Sequence, residues 1–479
     1  MIDSESVSLQ ERYRKAIPVT AGRVGHLTPE QTTLLRQLWR HLLNECTDTT
    51  PIPVRTQQPH GSAAAADLAS LSFEPLVSLG SRENKPKTTS SGWLGWATKT
   101  LLAPYTPSPD PENQTAAEAE EAERLRSETV QEYLRRQHNQ TTPVIPAPFK
   151  PLFEQPRESR TFRAGFWQAA MQMGDPDSWV LRFLRARQWD VDQALEMIKR
   201  TIAWRIGQGI DETVYLGESM LHHYTMHSGL AFPCMEDRLG NPVYVIRVRV
   251  NKARFRSIES IKRILCWQIE TSQLLAARSD GRVTMLFDLT GFSRENMDLK
   301  LVRTLITLLT NYYPETLGIL LLYVNSVLFS SMWLLIQSFI DPGVKAKIAL
   351  ARNTNELLHY IDAEGLIEEL GGKKSFEYTY EPPTAEENTQ MADAEKRKAK
   401  DHAFVEAVAK YEQVTAEWAR EESGSGSTPG SELSDTVDTR RAYARATMRG
   451  AAVDLDTYIR ARTLFHRQGI IKSDHTVSF

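Results

Sequence analysis

The sequence is poor in cysteine and has no dominant charge. Cys46, Cys234 and Cys266 are the three cysteines among 479 residues, and no two of them form a CxxC pair. This scarcity argues against a disulfide framework and against a thiolate zinc site, and it is typical of a reducing compartment. The net charge is −3, so no global basic field indicates a nucleic-acid partner. The N-terminus also lacks the apolar stretch of a secretory signal.

Motifs of catalysis are lacking as well. The segment GGKKS fails as a phosphate-binding loop because Lys374 occupies the Ser/Thr position and Ile367 occupies the position of the first glycine. The segment GFSRE lacks the second glycine of a nucleophile elbow. His222, His223 and His227 are close in sequence, but no H-E-x-x-H motif or carboxylate partner accompanies them, which favours a solvated helix face over a metal site. We therefore expect no enzymatic activity, no metal and no cofactor.

A long uncharged run, from Leu317 to Ile340, is the most unusual feature that is present. It contains no Asp, Glu, Lys or Arg, and it is long enough for a transmembrane helix, which needs about 20 apolar residues. However, Asn325 and Ser326 interrupt the run after a stretch of strand length, and a helical pattern begins at Phe329. The run therefore predicts a buried strand followed by a helix, and not a membrane span.

The helix predicted from Phe329 to Ile340 is apolar on almost all sides. Such a helix is normally buried in a core. The alternative is a gate, with one side lining an apolar ligand cavity and the other touching a membrane when the gate opens. The pattern does not separate these two interpretations. In the second, the gate and pocket residues are Phe329, Met332, Trp333, Ile336, Phe339 and Ile340.

Composition divides the chain into five segments. An amphipathic helix after Thr28 needs a docking surface elsewhere in the chain. The long linker that follows has the composition of a disordered segment, except at SSGWLGWATKTLLAPY, which is either an interfacial membrane anchor or a piece packed on a domain. Near the C-terminus a polar helix, a flexible linker and a basic tail are interpreted as spacer or interaction elements. The boundaries are 1–46 for the N-terminal segment, 47–149 for the linker, 150–220 for a helical region, 221–380 for an α/β domain and 381–479 for the C-terminal elements.

Strands and helices alternate from residue 241 onward. The stretches PVYVIRVRV, RVTMLFDL, LGILLLYV and KIALA have the length and composition of strands, and helical periodicity lies between them. This alternation predicts an α/β fold with βαβ units and a mainly parallel sheet covered by helices. Before it, Asp175 and Asp190 are expected to cap two helices of a small bundle.

Several of these motifs resemble one family. LRFLRARQWDVDQAL resembles the N-terminal signature of CRAL-TRIO lipid-binding proteins, and FDLTGFS, NYYPETLG, FIDPGVKAKI and LIEELGG follow in the family's order, over residues 175–376. The GHLTPEQ helix and the long insertion after it resemble the fungal phosphatidylinositol transfer branch. The resemblance implies a helical bundle packed on an α/β domain, whose sheet floors a pocket for one lipid. It also places a gating helix at residues 329–340.

The resemblance further implies a site for a phosphoinositide headgroup at Arg187, Glu315 and Lys347. A guanidinium and an ammonium can bind the phosphate, while a carboxylate accepts hydrogen bonds from inositol hydroxyls. In the alternative interpretation, Arg187 and Glu315 pair with one another or cap helices, and Lys347 is a solvated surface charge.

The chain departs from that branch at three positions. Val344 replaces a threonine that would donate a hydroxyl to the phosphate, and Val283 and Met285 replace polar residues associated with choline phospholipids. Phosphatidylcholine exchange is therefore not expected. Phosphatidylinositol stays favoured, and a sterol-like or other neutral lipid is a possible second ligand.

The expected function is that of a lipid-transfer protein. It would be a cytoplasmic monomer that binds one phospholipid, touches membranes such as the endoplasmic reticulum transiently and does not bind nucleic acid. The alternatives are a lipid-loaded regulatory adaptor and a carrier of a neutral lipid.

Overall fold

The computed structural model describes most of the chain outside the long linker. The described residues are 9–15, 20–53, 159–171, 175–221, 226–251, 258–296, 298–324, 333, 342–384, 386–421 and 436–479. They all belong to one unit, formed by residues 1–54 and 122–479. The Trp-rich motif, His222, His223 and most of the predicted 47–149 linker lie outside the described residues.

Helices occupy both ends of this unit and alternate with strands in its middle. The helices are α1 (Leu9–Arg14), α2 (Pro29–Glu45), α3 (Phe162–Ala170), α4 (Pro176–Ala186), α5 (Val191–Gln208), α6 (Ile210–Leu216), α7 (Ile258–Leu275), α8 (Leu299–Asn311), α9 (Pro342–Lys345), α10 (Thr354–Leu357), α11 (Ala394–Arg420), α12 (Val437–Ile459) and α13 (Leu464–Arg467). No described helix has both the length and the apolar character that crossing a membrane requires.

A five-stranded sheet forms the centre. Its strands are β1 (Ala231–Glu236), β2 (Pro242–Arg247), β3 (Val283–Asp288), β4 (Leu317–Tyr323) and β5 (Ile348–Ala351). They lie side by side in sequence order, with β1 antiparallel to β2 and all later pairs parallel. The predicted α/β class and mainly parallel sheet are therefore confirmed.

One strand is shorter than its sequence pattern indicates. The alternation in PVYVIRVRV continues to Val250, but β2 ends at Arg247 and residues 248–250 form a 3₁₀ turn. The pairing of β2 with β3 ends at the same point, where Arg247 lies opposite Asp288. Beyond it, Arg249 forms ion pairs with Asp288 and Glu369 and no longer takes part in the ladder.

The predicted strand in the first part of the uncharged run is confirmed, while the helix predicted after it is described at one residue only. The first part of the run is β4, and Trp333, within the predicted helix, has helical conformation. The other members of the predicted gate, Phe329, Met332, Ile336, Phe339 and Ile340, lie outside the described residues.

Side-chain caps begin the N-terminal helices where the sequence predicts. Thr28 Oγ1 accepts a hydrogen bond from the Gln31 amide, and the Gln31 side chain accepts one from the Thr28 amide, which completes a capping box. Asp190 Oδ1 likewise accepts from the Gln193 amide at 2.9 Å. Asp175 caps α4 by accepting from the backbone N–H two residues on.

A large apolar cluster, the helical core, joins α2, α3, α4, α5, α11 and α12. The apolar face of α2, with Leu38, Trp39 and Leu42 fully buried, packs into it, so the predicted docking of that helix elsewhere in the chain is confirmed. The core is rich in aromatic contacts, such as the stacked rings of Trp39 and Trp167 at 6.2 Å.

The basic C-terminal stretch is part of this core, which corrects its interpretation as a spacer or interaction tail. Its residues form α12, and Ala444, Met448 and Leu455 are buried on one face of that helix. Arg441, on the same face, donates hydrogen bonds to both carboxylate oxygens of Asp177 at 2.7 Å. Composition alone missed this face because its small and basic residues do not form a strongly apolar stripe.

Candidate functional site

The two faces of the sheet differ in how completely they are covered. One face is fully buried, through Val243, Val245, Leu286, Ile319 and Leu321, in a cluster that includes α10 and Tyr13 of α1. The opposite face, called the open face here, presents the half-buried Ile246, Phe287, Leu320 and Ile348 and the exposed Leu350. Alternation of side chains along each strand places these two sets on opposite sides.

Half-buried apolar side chains from helices line the open face. Leu305 and Leu309 of α8 and Val344 of α9 pack against the cluster that contains Met285, and Trp333 packs against the one that contains Leu322. Leu350 keeps 43% of its surface exposed. Neighbouring apolar side chains that stay only half-buried, next to an exposed leucine, are typical of a ligand groove or an interaction site.

The three departures from the family pattern lie on this apolar surface. Val283 and Met285 are two residues apart on β3 and are both buried, while Val344 is half-buried beside them in the same cluster. None of the three side chains has a hydrogen-bond donor. This part of the surface therefore favours hydrocarbon over a polar headgroup.

A charged cluster, called the polar end here, lies where three parallel strands begin. Asp280 precedes β3, Glu315 precedes β4 and Lys347 precedes β5. Because the amino ends of neighbouring parallel strands share one edge of the sheet, these three residues converge. Its other members are Arg23, Arg182 and Arg185.

Glu315 is the centre of the polar end. Lys347 Nζ lies 3.5 Å from Glu315 Oε1 and donates to the Leu317 carbonyl at 3.1 Å, while Arg185 Nε lies 3.5 Å from Glu315 Oε2. Burial opposes ionisation of Glu315, but Lys347, Arg185 and Arg23 outweigh it and lower the pKa of the carboxyl. Glu315 is therefore an ionised acceptor.

Arg187 does not join the other two residues of the predicted headgroup trio. It is the C-terminal cap of α4, and its guanidinium donates to the Ala186 carbonyl at 3.4 Å. Burial and the nearby Arg200 lower its pKa. Arg185, two residues earlier, takes the position against Glu315, so the alternative pairing of Arg187 with Glu315 is also not formed. The headgroup role of Arg187 stays a prediction.

Sequence reasoning missed Arg23, Arg182 and Asp280. The Arg23 guanidinium forms an ion pair with Asp280 and lies 3.9 Å from Glu315 Oε2. Arg182 donates to the Asp280 carbonyl at 2.8 Å. Arg182 belongs to the LRFLRAR motif and could have been suspected, but Arg23 and Asp280 are 257 residues apart and no local pattern links them.

A second buried charged group lies between the helical region and the sheet. Arg205 donates to Glu270 at 2.6 Å and to Asp211 at 3.2 Å, and Tyr313 donates to Glu270 at 2.6 Å. A cavity of about 20 Å³ adjoins it, enough for about one water molecule. Among the described residues, no three His, Cys, Asp or Glu side chains gather as a metal site would require.

Comparison with known proteins identifies the family. The sequence matches the model of the CRAL/TRIO domain over residues 226–372 and that of the CRAL/TRIO N-terminal domain over residues 128–200. It is 33% identical over 323 residues to a CRAL-TRIO domain-containing protein of Schizosaccharomyces pombe, covering 66% of this chain and 70% of that protein. It is 26% identical over 466 residues to the phosphatidylinositol transfer protein CSR1 of Eremothecium gossypii, covering 94% of this chain and 98% of that protein.

Among solved structures, the crystal structure of Sfh5 has 16% sequence identity and a TM-score of 0.35, over 54% of this chain and 88% of that chain. The family resemblance in the sequence motifs is confirmed by the domain matches and by the relative that is 33% identical. The chain belongs to the CRAL/TRIO family of lipid-binding proteins.

Proposed function

We propose that this protein binds one molecule of phosphatidylinositol at the open face of the sheet and transfers it between membranes. The observation that carries the proposal is the junction of two surfaces: half-buried apolar side chains on the open face, and the Glu315–Lys347 contact at its polar end. A phospholipid has the same division into hydrocarbon and charged headgroup. The name of the Eremothecium gossypii relative, which this chain matches over 98% of its length, also supports the proposal.

The headgroup and the acyl chains of the lipid would each contact protein groups of matching chemistry. Lys347 and Arg185 supply cations for the phosphate, and Glu315 accepts hydrogen bonds from inositol hydroxyls. The acyl chains would cover the apolar side chains of the open face. At about 0.8 kcal/mol for each buried CH₂ group, two chains can offset the cost of leaving a bilayer.

Exchange would require the pocket to open at a membrane. Trp333 is half-buried against Leu322 and its neighbours, and Trp favours the boundary between hydrocarbon and water. We propose that the helix predicted from Phe329 to Ile340, which includes Trp333, is the gate. The protein would act from the cytoplasm, as a monomer, by transient contact with membranes such as the endoplasmic reticulum.

Mass spectrometry of lipid extracted from the purified full chain tests this proposal. The measurement is repeated after incubation with vesicles that contain phosphatidylinositol, and transfer to acceptor vesicles is followed in parallel. Stoichiometric phosphatidylinositol with transfer is the expected result. Loading without transfer would support the regulatory adaptor instead, and a pocket that excludes phosphatidylinositol would contradict the proposal.

A neutral-lipid carrier is the second candidate function. Val283, Met285 and Val344 favour it, since each places hydrocarbon where the family pattern has a polar side chain. The same extraction distinguishes the two candidates, because a sterol or other uncharged lipid would replace phosphatidylinositol in the spectrum. Phosphatidylcholine is expected to be absent in both cases.

A further inference from the structure

We infer that Arg23 is a phosphate-binding residue and helps to decide which lipids this protein retains. Arg23 belongs to the N-terminal segment, outside both stretches that match the family models. The inference rests on the proposed function in assigning the phosphate to a lipid headgroup. The binding of a phosphate group at this position can be tested independently.

The backbone before α2 carries Arg23 into the polar end. Gly22 has φ +69°, and a Cβ atom there would come within 2.8 Å of the Trp189 ring, so glycine is required for the close approach. Arg185 Nη1 donates to the Gly22 carbonyl at 2.9 Å and fixes the turn. As a result the Arg23 side chain is only 9% exposed, although it lies near the start of the chain.

Cations outnumber carboxylates at the polar end. Arg23, Arg185 and Lys347 share Asp280 and Glu315 as their partners. Arg182 adds a fourth cation, but the hydrogen bonds of its guanidinium go to neutral oxygens of Gln273, Thr316 and the Asp280 backbone at 2.9, 3.3 and 2.8 Å. Buried charge without a counterion is costly, and a bound anion would offset that cost.

Donor atoms remain available for such an anion. Nε of Arg23 and Nε of Arg182 are buried and have no hydrogen-bond partner within the part of the chain that the structure describes. Burial, followed by repulsion from Arg185 and Arg282, lowers the pKa of Arg23. An anion among these groups would relieve both the unpaired donors and the mutual repulsion.

A phosphate group fits this arrangement better than a carboxylate. Several guanidinium groups and an ammonium converge from different elements, which suits the three or four oxygens of a phosphate. Val344, whose carbonyl oxygen accepts a hydrogen bond from the Lys347 amide at 2.9 Å, has no side-chain donor to offer the phosphate. Arg23 supplies a donor from another part of the chain. The phosphate could belong to a lipid headgroup or be free in solution.

The competing interpretation is that Arg23 only docks the N-terminal segment onto Asp280. Two substitutions separate the interpretations, because R23Q and D280N both remove the ion pair between Arg23 and Asp280, and D280N also removes the 3.5 Å contact between Arg185 and Asp280. If the pair serves docking alone, both variants have the same effect on lipid loading. If Arg23 binds phosphate, R23Q weakens loading more than D280N does, because D280N keeps the Arg23 guanidinium and frees it from its carboxylate partner. Arg40→Gln, on the exposed side of α2, is the matched control.

The experiment uses the full chain and two probes. Vesicles of phosphatidylcholine with phosphatidylinositol measure headgroup loading, and calorimetry with inorganic phosphate measures binding of the free ion. We expect R23Q to lose about tenfold in phosphatidylinositol loading, the effect of one charge-assisted hydrogen bond, with D280N losing clearly less than R23Q and R40Q at the wild-type level. The melting temperatures of R23Q and D280N should both fall, since both variants lose the ion pair between Arg23 and Asp280.

Each other outcome is also decisive. Equal losses in R23Q and D280N, or wild-type loading in R23Q, would overturn the role of Arg23 and leave the proposed function intact. If the wild type takes up no phosphatidylinositol but binds inorganic phosphate in a manner that R23Q abolishes, the phosphate site stands and the proposed function fails. If neither probe binds to the wild type, the inference is overturned.

Discussion

The helical core and the open face of the sheet bury their residues to different degrees. In the helical core, Asp177 accepts hydrogen bonds from Arg441 at 2.7 Å and from Trp39 Nε1 at 2.8 Å, and Trp39 is fully buried. On the open face, Leu350 stays 43% exposed, and the polar end has more cations than carboxylates. The helical core completes its packing with its own residues, whereas the open face leaves apolar surface and positive charge for a ligand. Substitutions in the two regions should therefore affect different properties.

The largest effect is expected in the helical core. Arg441→Ala removes the two-pronged partner of the buried Asp177 carboxylate and leaves it only the more distant Arg445 at 3.8 Å as a cation partner, which should lower the free energy of unfolding by about 3–5 kcal/mol. Denaturant unfolding followed by Trp fluorescence measures this loss. Lipid loading per folded molecule should not change, because Arg441 lies in the other region.

Arg445→Ala is the control for that experiment. Arg445, on the same helix as Arg441, lies 3.1 Å from Asp175 and 3.8 Å from Asp177 but is 30% exposed, so its loss should cost less than about 1 kcal/mol. Equal destabilisation by the two substitutions would mean that the Asp177 pair is not a principal support of the helical core.

The second largest effect is expected on lipid transfer, from a substitution of Trp333 at the boundary of the open face. Trp333→Asp would place a carboxylate on the proposed gate, and inserting Asp into a membrane costs about 2.5–3.5 kcal/mol. Transfer between vesicles should fall by about a hundredfold or more, with folding still measurable by circular dichroism. Trp333→Phe, which keeps an apolar ring, should retain most of the transfer. Unchanged transfer by the Asp variant would exclude Trp333 from the gate.

The fold was more predictable from the sequence than the site. Strands such as β3 and β4 are short apolar runs, and the caps at Thr28 and Asp190 are local motifs, so both can be identified without tertiary information. That Arg185, and not Arg187, contacts Glu315 could not be identified in this way. It depends on where α4 ends and on the direction in which each side chain leaves the helix.

Ion pairs between residues that are far apart in the sequence were the second feature that could not be predicted. Arg23 reaches Asp280 from 257 residues away, and Arg441 reaches Asp177 from 264 residues away. Arg441 lies in a stretch whose composition is that of a basic tail, and no sequence motif marks Arg23 as buried. Their partners become evident only when the helices and the sheet are packed together, because an ion pair between distant elements leaves no periodicity in either.

The third largest effect is expected on the pH dependence of stability, through His466 of α13. His466 of α13 is 9% exposed, its Nδ1 accepts a hydrogen bond from the Thr463 amide, and burial lowers its pKa to about 3. The unfolded chain takes up a proton below about pH 6.5 while the folded chain does not, so this contribution to stability falls as the pH falls. Between pH 7 and 5 the loss should be about 2 kcal/mol.

His466→Asn is the comparison for that measurement. The asparagine carbonyl can accept the same hydrogen bond from the Thr463 amide but does not titrate. The difference in unfolding free energy between the wild type and the variant should shrink by about 2 kcal/mol over this pH range. A difference independent of pH would mean that His466 takes up a proton in the folded protein.

The smallest expected effect is a change in which lipid the protein binds, caused by a substitution at the polar end. Lys347→Ala removes the ammonium group 3.5 Å from Glu315 and should reduce phosphatidylinositol loading by about tenfold, near 1.4 kcal/mol, with little change in stability because Lys347 is 32% exposed. Lys347→Arg should restore part of the loading, and Lys345→Ala, on the exposed side of α9, should have no effect. Mass spectrometry of the extracted lipid gives the selectivity. If phosphatidylinositol and neutral lipids are lost together, Lys347 is needed for the structure of the pocket. If phosphatidylinositol alone is lost, charge at the polar end determines which lipid binds, and the apolar surface contributes affinity without selecting the headgroup.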